Sequence, residues 1–214
     1  MINKSQPIRI AIAGLGFGES VHIPASIFNE NIELIGLWHP RPGRLSEACS
    51  KHNLNAYEKW EDLINDPKIE GIIIATPPGP RFELALQAVK AGKHLLLEKP
   101  IGLNADEVME LQKNALKRNL RIAVDYEYRA VPLFMQAKRI ISQQALDEPY
   151  FVKLDWLMSS RANPDRPWNW YSDEDSGGGV LGALGTHAFD MIHWLIGPTH
   201  SLSAINSTSI KERG

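Results

Sequence analysis

Residues 8–18 decide the fold, and they read Ile8-Arg9-Ile10-Ala11-Ile12-Ala13-Gly14-Leu15-Gly16-Phe17-Gly18. An apolar run of strand length leads directly into three glycines, and a stretch with helical spacing follows to residue 28. A strand, a glycine turn and a helix in that order bring backbone N–H groups to one point, where a pyrophosphate binds well. The stretch therefore predicts the first βαβ unit of a dinucleotide-binding sheet. The predicted cofactor contacts in the turn are Gly14, Gly16, Phe17 and Gly18.

The glycine spacing departs from the usual dinucleotide fingerprint. Residue 19 is Glu, and the third glycine comes one place earlier. A turn that only joins a strand to a helix is therefore an equally good interpretation of the motif by itself. The pattern of the following hundred residues favours the binding interpretation.

Short apolar runs alternate with helical spacing through the first part of the chain. Further strands are predicted at 33–38, 71–75, 94–98 and 121–126, and helices at 43–52 and 81–91. Gly92 is typical of a left-handed C-cap, and Asn104 of the N-cap of another helix. The fold class is therefore α/β, a Rossmann parallel sheet with helices on both faces.

The last third of the chain predicts a second, different domain. A helix at 131–144, a strand at 150–158, a polar loop at 160–176, a helix after Gly177-Gly178-Gly179 and a strand at 200–208 follow in order. We expect a Rossmann domain at 1–124 and an incomplete α+β domain at 125–214. So few strands leave an open sheet edge, so we expect a partner subunit to cover it or the natural chain to continue past Gly214.

Composition argues for a small-molecule protein. The 214 residues carry a formal net charge of -2 and no dense Lys/Arg run, so neither nucleic acid nor an anionic membrane is expected as a partner. Cys49 is the single cysteine, which excludes an internal disulfide. The first residues lack the apolar stretch of a signal peptide, and we expect a cytoplasmic location.

The end of the second predicted strand indicates which dinucleotide binds. NAD-binding folds usually offer a carboxylate there, whereas this chain reads Trp38-His39-Pro40-Arg41-Pro42-Gly43-Arg44. Guanidinium groups match phosphate geometry, so Arg41 and Arg44, with His39 beside them, are predicted to bind the 2′-phosphate of NADP. A solvated basic turn is the alternative, and NAD remains open as the cofactor.

A lysine stands at the carboxyl end of the predicted strand at 94–98. The run Leu95-Leu96-Leu97-Glu98-Lys99-Pro100 delivers Lys99 to the edge where open α/β sheets bind ligands. Its ammonium group is suited to move a proton while hydride moves to or from a nicotinamide. Pro100 keeps the turn rigid, and a cis Lys99–Pro100 bond is one of its two forms.

Four segments together resemble the Gfo/Idh/MocA oxidoreductases, the family of glucose-fructose oxidoreductase and inositol dehydrogenase. They are the glycine turn, Ala75-Thr76-Pro77-Pro78, the run from Ala91 to Pro100, and the run from Gly177 to Asp190. The resemblance covers most of the chain. It implies a Rossmann domain followed by a domain with an open, mostly antiparallel sheet, through which homo-oligomers form.

The resemblance also implies oxidation or reduction of a sugar or polyol. By position, Lys99 becomes the catalytic lysine and His187 the acid/base histidine that faces the substrate. Thr76, Pro77 and Pro78 line the nicotinamide, and Glu98 lies near its ribose. Without the resemblance, a histidine in an apolar helix is more simply a core residue.

The sequence departs from the family pattern near the substrate. Ala183 stands where many members have Asp, four residues before the histidine, and Asp190 lies three residues after it on the same helical side. The candidate substrate contacts are Tyr126, Glu127, Trp168 and Asp190. Asp190 could also be structural, and Trp168 could pack on its own domain.

No metal site is predicted. His39, His52 and His94 are scattered singly, and His22 is interpreted as structural. The function that fits the residues best is an NADP-preferring oxidoreductase. A non-catalytic NAD(P)-binding regulatory protein and a hydrolase or lyase with a tightly bound dinucleotide remain alternatives.

Overall fold

The computed structural model describes residues 6–143, 147, 149–159 and 162–212. The chain forms two compact units, residues 1–125 and residues 126–214, called here the first and the second unit. No helix in the described ranges has both the length and the apolar character needed to cross a membrane.

The first unit is a doubly wound parallel sheet. Its strands are β1 (Ile8–Ala13), β2 (Ile32–Trp38), β3 (Asn55–Tyr57), β4 (Gly71–Ile74), β5 (His94–Leu97) and β6 (Ile122–Val124). They lie in the order β3-β2-β1-β4-β5-β6, and each neighbouring pair is parallel. The strand order reverses between β1 and β4, which is where such sheets bind ligands.

Helices connect the strands. A π-helical segment (Gly18–His22) leads into α1 (Ile23–Phe28), and α2 (Pro42–His52), α3 (Trp60–Asn65), α4 (Pro78–Lys90) and α5 (Ala105–Lys117) follow. The Rossmann prediction is confirmed. The sequence pattern missed β3 and α3, because elements of three and six residues are shorter than the window in which periodicity is visible.

The sheet is held by apolar side chains on both faces. In β1, Ala11 and Ala13 pack into one buried cluster, whereas Ile10 and Ile12 pack into another on the opposite face. This division follows from the alternation of side chains along a strand. Burial on both faces explains why the strands appear in the sequence as unbroken apolar runs.

Helix ends follow the local chemistry. Helix α4 begins at Pro78, three residues before the predicted start, because prolines in a first turn lose no intrahelical hydrogen bond. Gly92 has a φ of +84°, as expected for the residue that ends this helix. The Asn104 side chain accepts a hydrogen bond from the Glu107 N–H and caps α5 as predicted.

In the described residues of the second unit, the regular secondary structure is helical. It contains a 3₁₀ turn (Glu127–Ala130), α6 (Pro132–Ser142), a second 3₁₀ turn (Trp170–Ser172), a π-helical segment (Leu181–Gly185) and α7 (Thr186–Leu195). The helices predicted at 131–144 and after the glycine run are present. Residue 144, the end of the first of these, and residues 160 and 161 of the predicted loop lie outside the described residues.

The strands predicted at 150–158 and 200–208 are wrong for this chain. Neither segment forms a strand, and the described part of the second unit contains no sheet. A strand exists through hydrogen bonds to a partner, and an apolar run by itself does not supply one. The predicted antiparallel sheet is therefore not confirmed.

Candidate active site

The glycine turn lies at the carboxyl end of β1, directly against the end of β4. Gly14 has a φ of +99°, and a Cβ atom there would lie 2.7 Å from the carbonyl carbon of Ala75. Only glycine fits, because both the backbone conformation and the contact exclude a side chain. A Cβ at Gly16 would meet nothing within 4 Å, so the turn leaves open space at its outer side.

Arg81 ties two loops at this edge together. Its buried guanidinium donates a hydrogen bond of 2.6 Å to the carbonyl oxygen of Glu98 and further hydrogen bonds to those of Pro100 and Thr76. One side chain from the first turn of α4 therefore connects the loop after β4 with the loop after β5. Sequence reasoning missed Arg81, although an arginine at the start of an otherwise apolar helix face was a usable signal.

Thr76 and Lys99 occupy the two loops that Arg81 connects. The Thr76 hydroxyl is buried, and it has no hydrogen-bond partner in the described part of the chain. Lys99 is half-buried, its peptide N–H donates to Oε2 of Glu98 at 3.2 Å, and its bond to Pro100 is cis. The predicted residues Gly14, Thr76, Glu98 and Lys99 are thus gathered at one edge of the sheet.

A buried acidic pair with a histidine stands beside Lys99. His22 Nε2 and Glu98 Oε1 share a hydrogen bond of 2.9 Å, and Oδ2 of Asp125 lies 3.7 Å from the same nitrogen. Burial raises the pKa of the Asp125 carboxyl and the charge of Glu98 raises it further, whereas His22 and Lys99 lower it. The cluster therefore places two carboxylates and an imidazole beside Lys99.

The same three side chains have the spacing of a cation site. One ligand atom from each of His22, Glu98 and Asp125 lies within 4.8 Å of the others. We interpret the cluster as a hydrogen-bonded group, because His22 Nε2 is already engaged by Glu98. Sequence reasoning missed it and took His22 as structural. The usable signal was that Glu98 and Asp125 directly follow neighbouring parallel strands.

The basic turn after β2 is organised by a carboxylate. Arg44 Nη2 lies 3.2 Å from Oε2 of Glu19 and 3.4 Å from the carbonyl oxygen of Leu15, so it leans against the glycine turn. Lys51 Nζ donates to Oε1 of Glu19 at 2.9 Å, and this hydrogen bond is the largest cause of the lowered pKa of Glu19. Glu19 therefore links the glycine turn to α2.

Arg41 and His39 lie in the same turn. The Arg41 N–H donates to Nδ1 of His39 at 3.1 Å, and burial lowers the pKa of His39. The Arg41 side chain is exposed. The structure thus places His39, Arg41 and Arg44 together after β2. Of the three, Arg44 contacts the glycine turn and is paired with Glu19.

His187 lies in the first turn of α7 in the second unit, and it is 4% exposed. The rings of Tyr126, Tyr128 and Trp156 surround it, with centroids 5.8, 4.9 and 6.1 Å from its own. Glu127 Oε1 lies 3.7 Å from its Nε2 atom. The imidazole is therefore enclosed by aromatic faces with a carboxylate beside it.

Asp190 forms an ion pair with Arg129. Arg129 donates hydrogen bonds of 2.8 and 2.5 Å to its two carboxylate oxygens, and the Arg129 guanidinium lies 5.9 Å from the Trp194 ring centroid. The pairing raises the pKa of Arg129. Asp190 thus joins α7 to the 3₁₀ turn at Glu127–Ala130.

Trp168 lies apart from these contacts in the second unit. It is exposed and comes just before the 3₁₀ turn in which Trp170 and Tyr171 stack at 3.7 Å between centroids. The role of Trp168 in substrate binding stays a prediction.

Two family models match the chain. One is the oxidoreductase family with an NAD-binding Rossmann fold, over residues 8–126, and the other is the GFO/IDH/MocA C-terminal domain, over residues 134–214. The first match coincides with the parallel sheet and its ligand-binding edge.

Individual relatives agree with these matches. An uncharacterized oxidoreductase of Synechocystis sp. is 40% identical over 213 residues, which are 99% of this chain and 57% of the relative. Levoglucosan dehydrogenase of Pseudarthrobacter phenanthrenivorans is 32% identical over 174 residues, which are 80% of this chain and 45% of that protein.

A solved structure supports the same assignment. Levoglucosan dehydrogenase in complex with NADH and levoglucosan superimposes with a TM-score of 0.83 at 26% identity, covering 97% of this chain and 59% of that one. This chain therefore spans little more than half the length of such proteins. Because both halves of the chain match, and because the sheet ends in the glycine turn and the Lys99 loop, the chain belongs to the Gfo/Idh/MocA family of NAD(P)-dependent oxidoreductases.

Proposed function

We propose that the whole protein exchanges hydride between a nicotinamide dinucleotide and a secondary alcohol or carbonyl of a sugar, polyol or related small molecule. The observation that carries this proposal is the position of Lys99. It stands at the carboxyl end of β5, in a loop that Arg81 fastens to the loop of Thr76. A half-buried ammonium group at this edge can bind a substrate oxygen and move its proton.

Residues at the sheet edge fit a dinucleotide. Gly16 leaves open space at the turn, and the buried Thr76 hydroxyl has no partner in the described chain, as expected for a group that contacts a ligand. Gly14, Gly16, Phe17 and Gly18 would hold the pyrophosphate, while Thr76, Pro77, Pro78 and Glu98 would line the nicotinamide and its ribose. A bound dinucleotide supplies or accepts the hydride at C4 of its nicotinamide ring.

NADP is the proposed preference. Arg41 is exposed beside His39, and Arg44 pairs with Glu19 against the glycine turn, so two guanidinium groups lie at the end of β2. Their pairing with the 2′-phosphate would be charge-assisted and bidentate.

His187 is the second proposed acid/base group. It would share the proton transfer with Lys99 in the whole protein. Tyr126, Glu127, Trp168 and Asp190 are the proposed surroundings of the substrate, with Asp190 acting through its ion pair with Arg129. A sugar or polyol is proposed as substrate because levoglucosan dehydrogenase is among the relatives.

The remaining proposals concern the whole protein. We propose a dinucleotide-binding domain over residues 1–124 and a substrate and oligomerisation domain over residues 125–214, through which subunits form a homo-oligomer. A cytoplasmic location is proposed as well, in keeping with the buried thiol of Cys49.

The experiment is a substitution of Lys99 in the full-length protein. Lys99→Ala should lower kcat by about 10³-fold, because proton transfer loses its group. The dissociation constant of NADPH, measured by fluorescence titration, should change by less than about threefold. Levoglucosan, myo-inositol and glucose serve as substrates, each with NAD⁺ and NADP⁺.

Lys90→Ala is the matched control, because Lys90 is an exposed lysine on α4. It should leave both kcat and cofactor affinity unchanged. Turnover that survives Lys99→Ala would refute the catalytic role. Tight NADPH binding with no turnover of any substrate by the wild type would favour a regulatory protein, a function that the apolar Ala183 one turn before His187 also suggests.

A further inference from the structure

A buried imidazole and an acidic side chain meet in the second unit. Nε2 of His187 lies 3.7 Å from Oε1 of Glu127, which comes from a different segment of the chain. We propose that Glu127 is a positioning residue whose carboxylate orients the His187 ring and stabilises its protonated form. This inference rests on the acid/base role proposed above for His187.

The helix that carries His187 does not provide this charge itself. One turn earlier, position 183 is a buried alanine, which offers only a methyl group. At the following turn, both carboxylate oxygens of Asp190 are taken by Arg129. Glu127 therefore supplies the negative charge beside the ring from outside the helix.

The rings that pack against His187 in the described part of the chain belong to Tyr126, Tyr128 and Trp156. Burial raises the pKa values of Tyr126 and Tyr128, so both phenols are neutral at pH 7. Trp156 adds a third aromatic face, and the opposite charges of Arg129 and Asp190 offset each other. Burial disfavours a charged imidazole, and the Glu127 carboxylate 3.7 Å away opposes this effect.

The local backbone fixes Glu127 in this place. Its two neighbours in sequence, Tyr126 and Tyr128, both pack edge-on against the His187 ring, with interplanar angles of 80° and 89°. Glu127 lies between them at the start of a 3₁₀ turn. The packing of its two neighbours thus holds the backbone of residue 127 beside the imidazole, and we expect a substitution of Glu127 to leave the site folded.

Glu127 changes the proton transfer in a defined direction. With the carboxylate ionised, the His187 imidazolium persists to higher pH and can donate its proton to the oxygen of a carbonyl that accepts hydride. In alcohol oxidation, the neutral ring takes the same proton back. His187 exchanges only the proton, whereas the hydride is exchanged with the nicotinamide dinucleotide of the proposed function.

The test is a proton titration of His187 that does not require turnover. Full-length protein with ¹³C-labelled histidine is titrated by NMR, and the His187 signal is assigned by its loss in His187→Asn. Glu127→Gln keeps the side-chain shape and removes the charge. Its His187 midpoint should lie about one pH unit lower than in the wild type, in the range for an opposite charge 4–6 Å away.

Two further variants make the result decisive. Glu127→Asp keeps the charge one methylene farther back and should restore part of the shift. Glu174→Gln removes an exposed carboxylate of the same unit and should leave the midpoint in place. An unchanged midpoint in Glu127→Gln, or equal shifts in Glu127→Gln and Glu174→Gln, would overturn the proposal.

The titration also separates this inference from the proposed function. If Lys99→Ala keeps full turnover while the Glu127→Gln shift is observed, the enzymatic proposal fails and the pairing of Glu127 with His187 stands. If Lys99→Ala loses turnover but Glu127→Gln shows no shift, the enzymatic proposal stands and the pairing of Glu127 with His187 fails.

Discussion

The Arg81 guanidinium donates a 2.6 Å hydrogen bond to the backbone carbonyl oxygen of Glu98, the residue before Lys99. Both groups are buried, and the same side chain also reaches Thr76. A charged donor that spans two loops fixes their separation more firmly than packing does, because each hydrogen bond has a narrow range of distance and angle. The Lys99 loop is therefore held by α4 as well as by β5.

Arg81→Met should destabilise the protein strongly. The thioether fills similar space but leaves three carbonyl oxygens, two of them buried and that of Pro100 partly buried, without the donor that they have in the wild type. We expect the free energy of unfolding, measured in urea, to fall by about 3 kcal/mol. Arg121→Met, which alters an exposed arginine of the same unit, should change it by less than about 0.5 kcal/mol. Similar small effects for both variants would contradict the role of Arg81.

Asp125 makes stability depend on pH. Its pKa is raised in the folded chain by burial and by Glu98, so the unfolded chain releases this proton at a lower pH than the folded chain does. The free energy of unfolding therefore falls as the pH rises from the ordinary carboxyl range through the raised folded pKa. Asn has no proton to release, so Asp125→Asn removes this fall.

The expected result is a variant that is more stable than the wild type at pH 7 and equally stable in acid. An ordinary single-substitution effect of about 1 kcal/mol corresponds to about 4 °C in Tm. Thermal unfolding between pH 3 and pH 7 measures the difference, with Glu110→Gln on the exposed side of α5 as the control. A difference that stays constant with pH would show that Asp125 acts through packing and not through its charge.

The sequence allowed the sheet and its ligand edge to be predicted, but not the contacts made across that edge. Strands buried on both faces are continuous apolar runs, so β1 and β5 could be located, and with them the Gly14 turn and Lys99. The pairing of His22 with Glu98 joins residues 76 positions apart. Such a contact depends on the strand order, which local periodicity does not contain.

In the second unit, the sequence pattern predicted strands that the described residues do not form. The apolar run at 150–158 has strand composition, yet it has no ladder partner among the described residues. Strand formation is a property of a pair, so a single segment can carry the pattern without the structure. The helices at Pro132–Ser142 and Thr186–Leu195 could be predicted because their hydrogen bonds are local.

Arg41 should discriminate between the two dinucleotides. Its side chain is exposed, whereas Arg44 already contacts Glu19 and the carbonyl oxygen of Leu15. We expect Arg41→Ala to raise the dissociation constant of NADPH by about tenfold, the loss of one charge-assisted contact, and that of NADH by less than about twofold. Arg44→Ala should raise the dissociation constant of NADPH by a smaller factor, and Arg118→Ala, just past the end of α5, should leave it unchanged. Equal wild-type affinities for NADH and NADPH in a fluorescence titration would remove the assignment.

Thr76 offers a test in which stability and binding change in opposite directions. Its hydroxyl is buried without a hydrogen-bond partner in the described chain, so the protein without cofactor bears the cost of removing that group from water. Thr76→Val replaces the hydroxyl by a methyl group of similar size. The free energy of unfolding without cofactor should rise by about 1 kcal/mol.

The same substitution should weaken the dinucleotide complex if the hydroxyl contacts the nicotinamide side of the cofactor. The dissociation constant of NADPH should rise by about fivefold, which corresponds to one lost hydrogen bond of about 1 kcal/mol. Thr76→Ser keeps the hydroxyl and should retain the affinity, although it loses a buried methyl group. Unfolding in urea and fluorescence titration on the same preparations measure both quantities. If Thr76→Val were stabilised but bound NADPH as tightly as the wild type, the hydroxyl would face a cavity that the cofactor does not enter, and the nicotinamide would have to be placed elsewhere along the sheet edge.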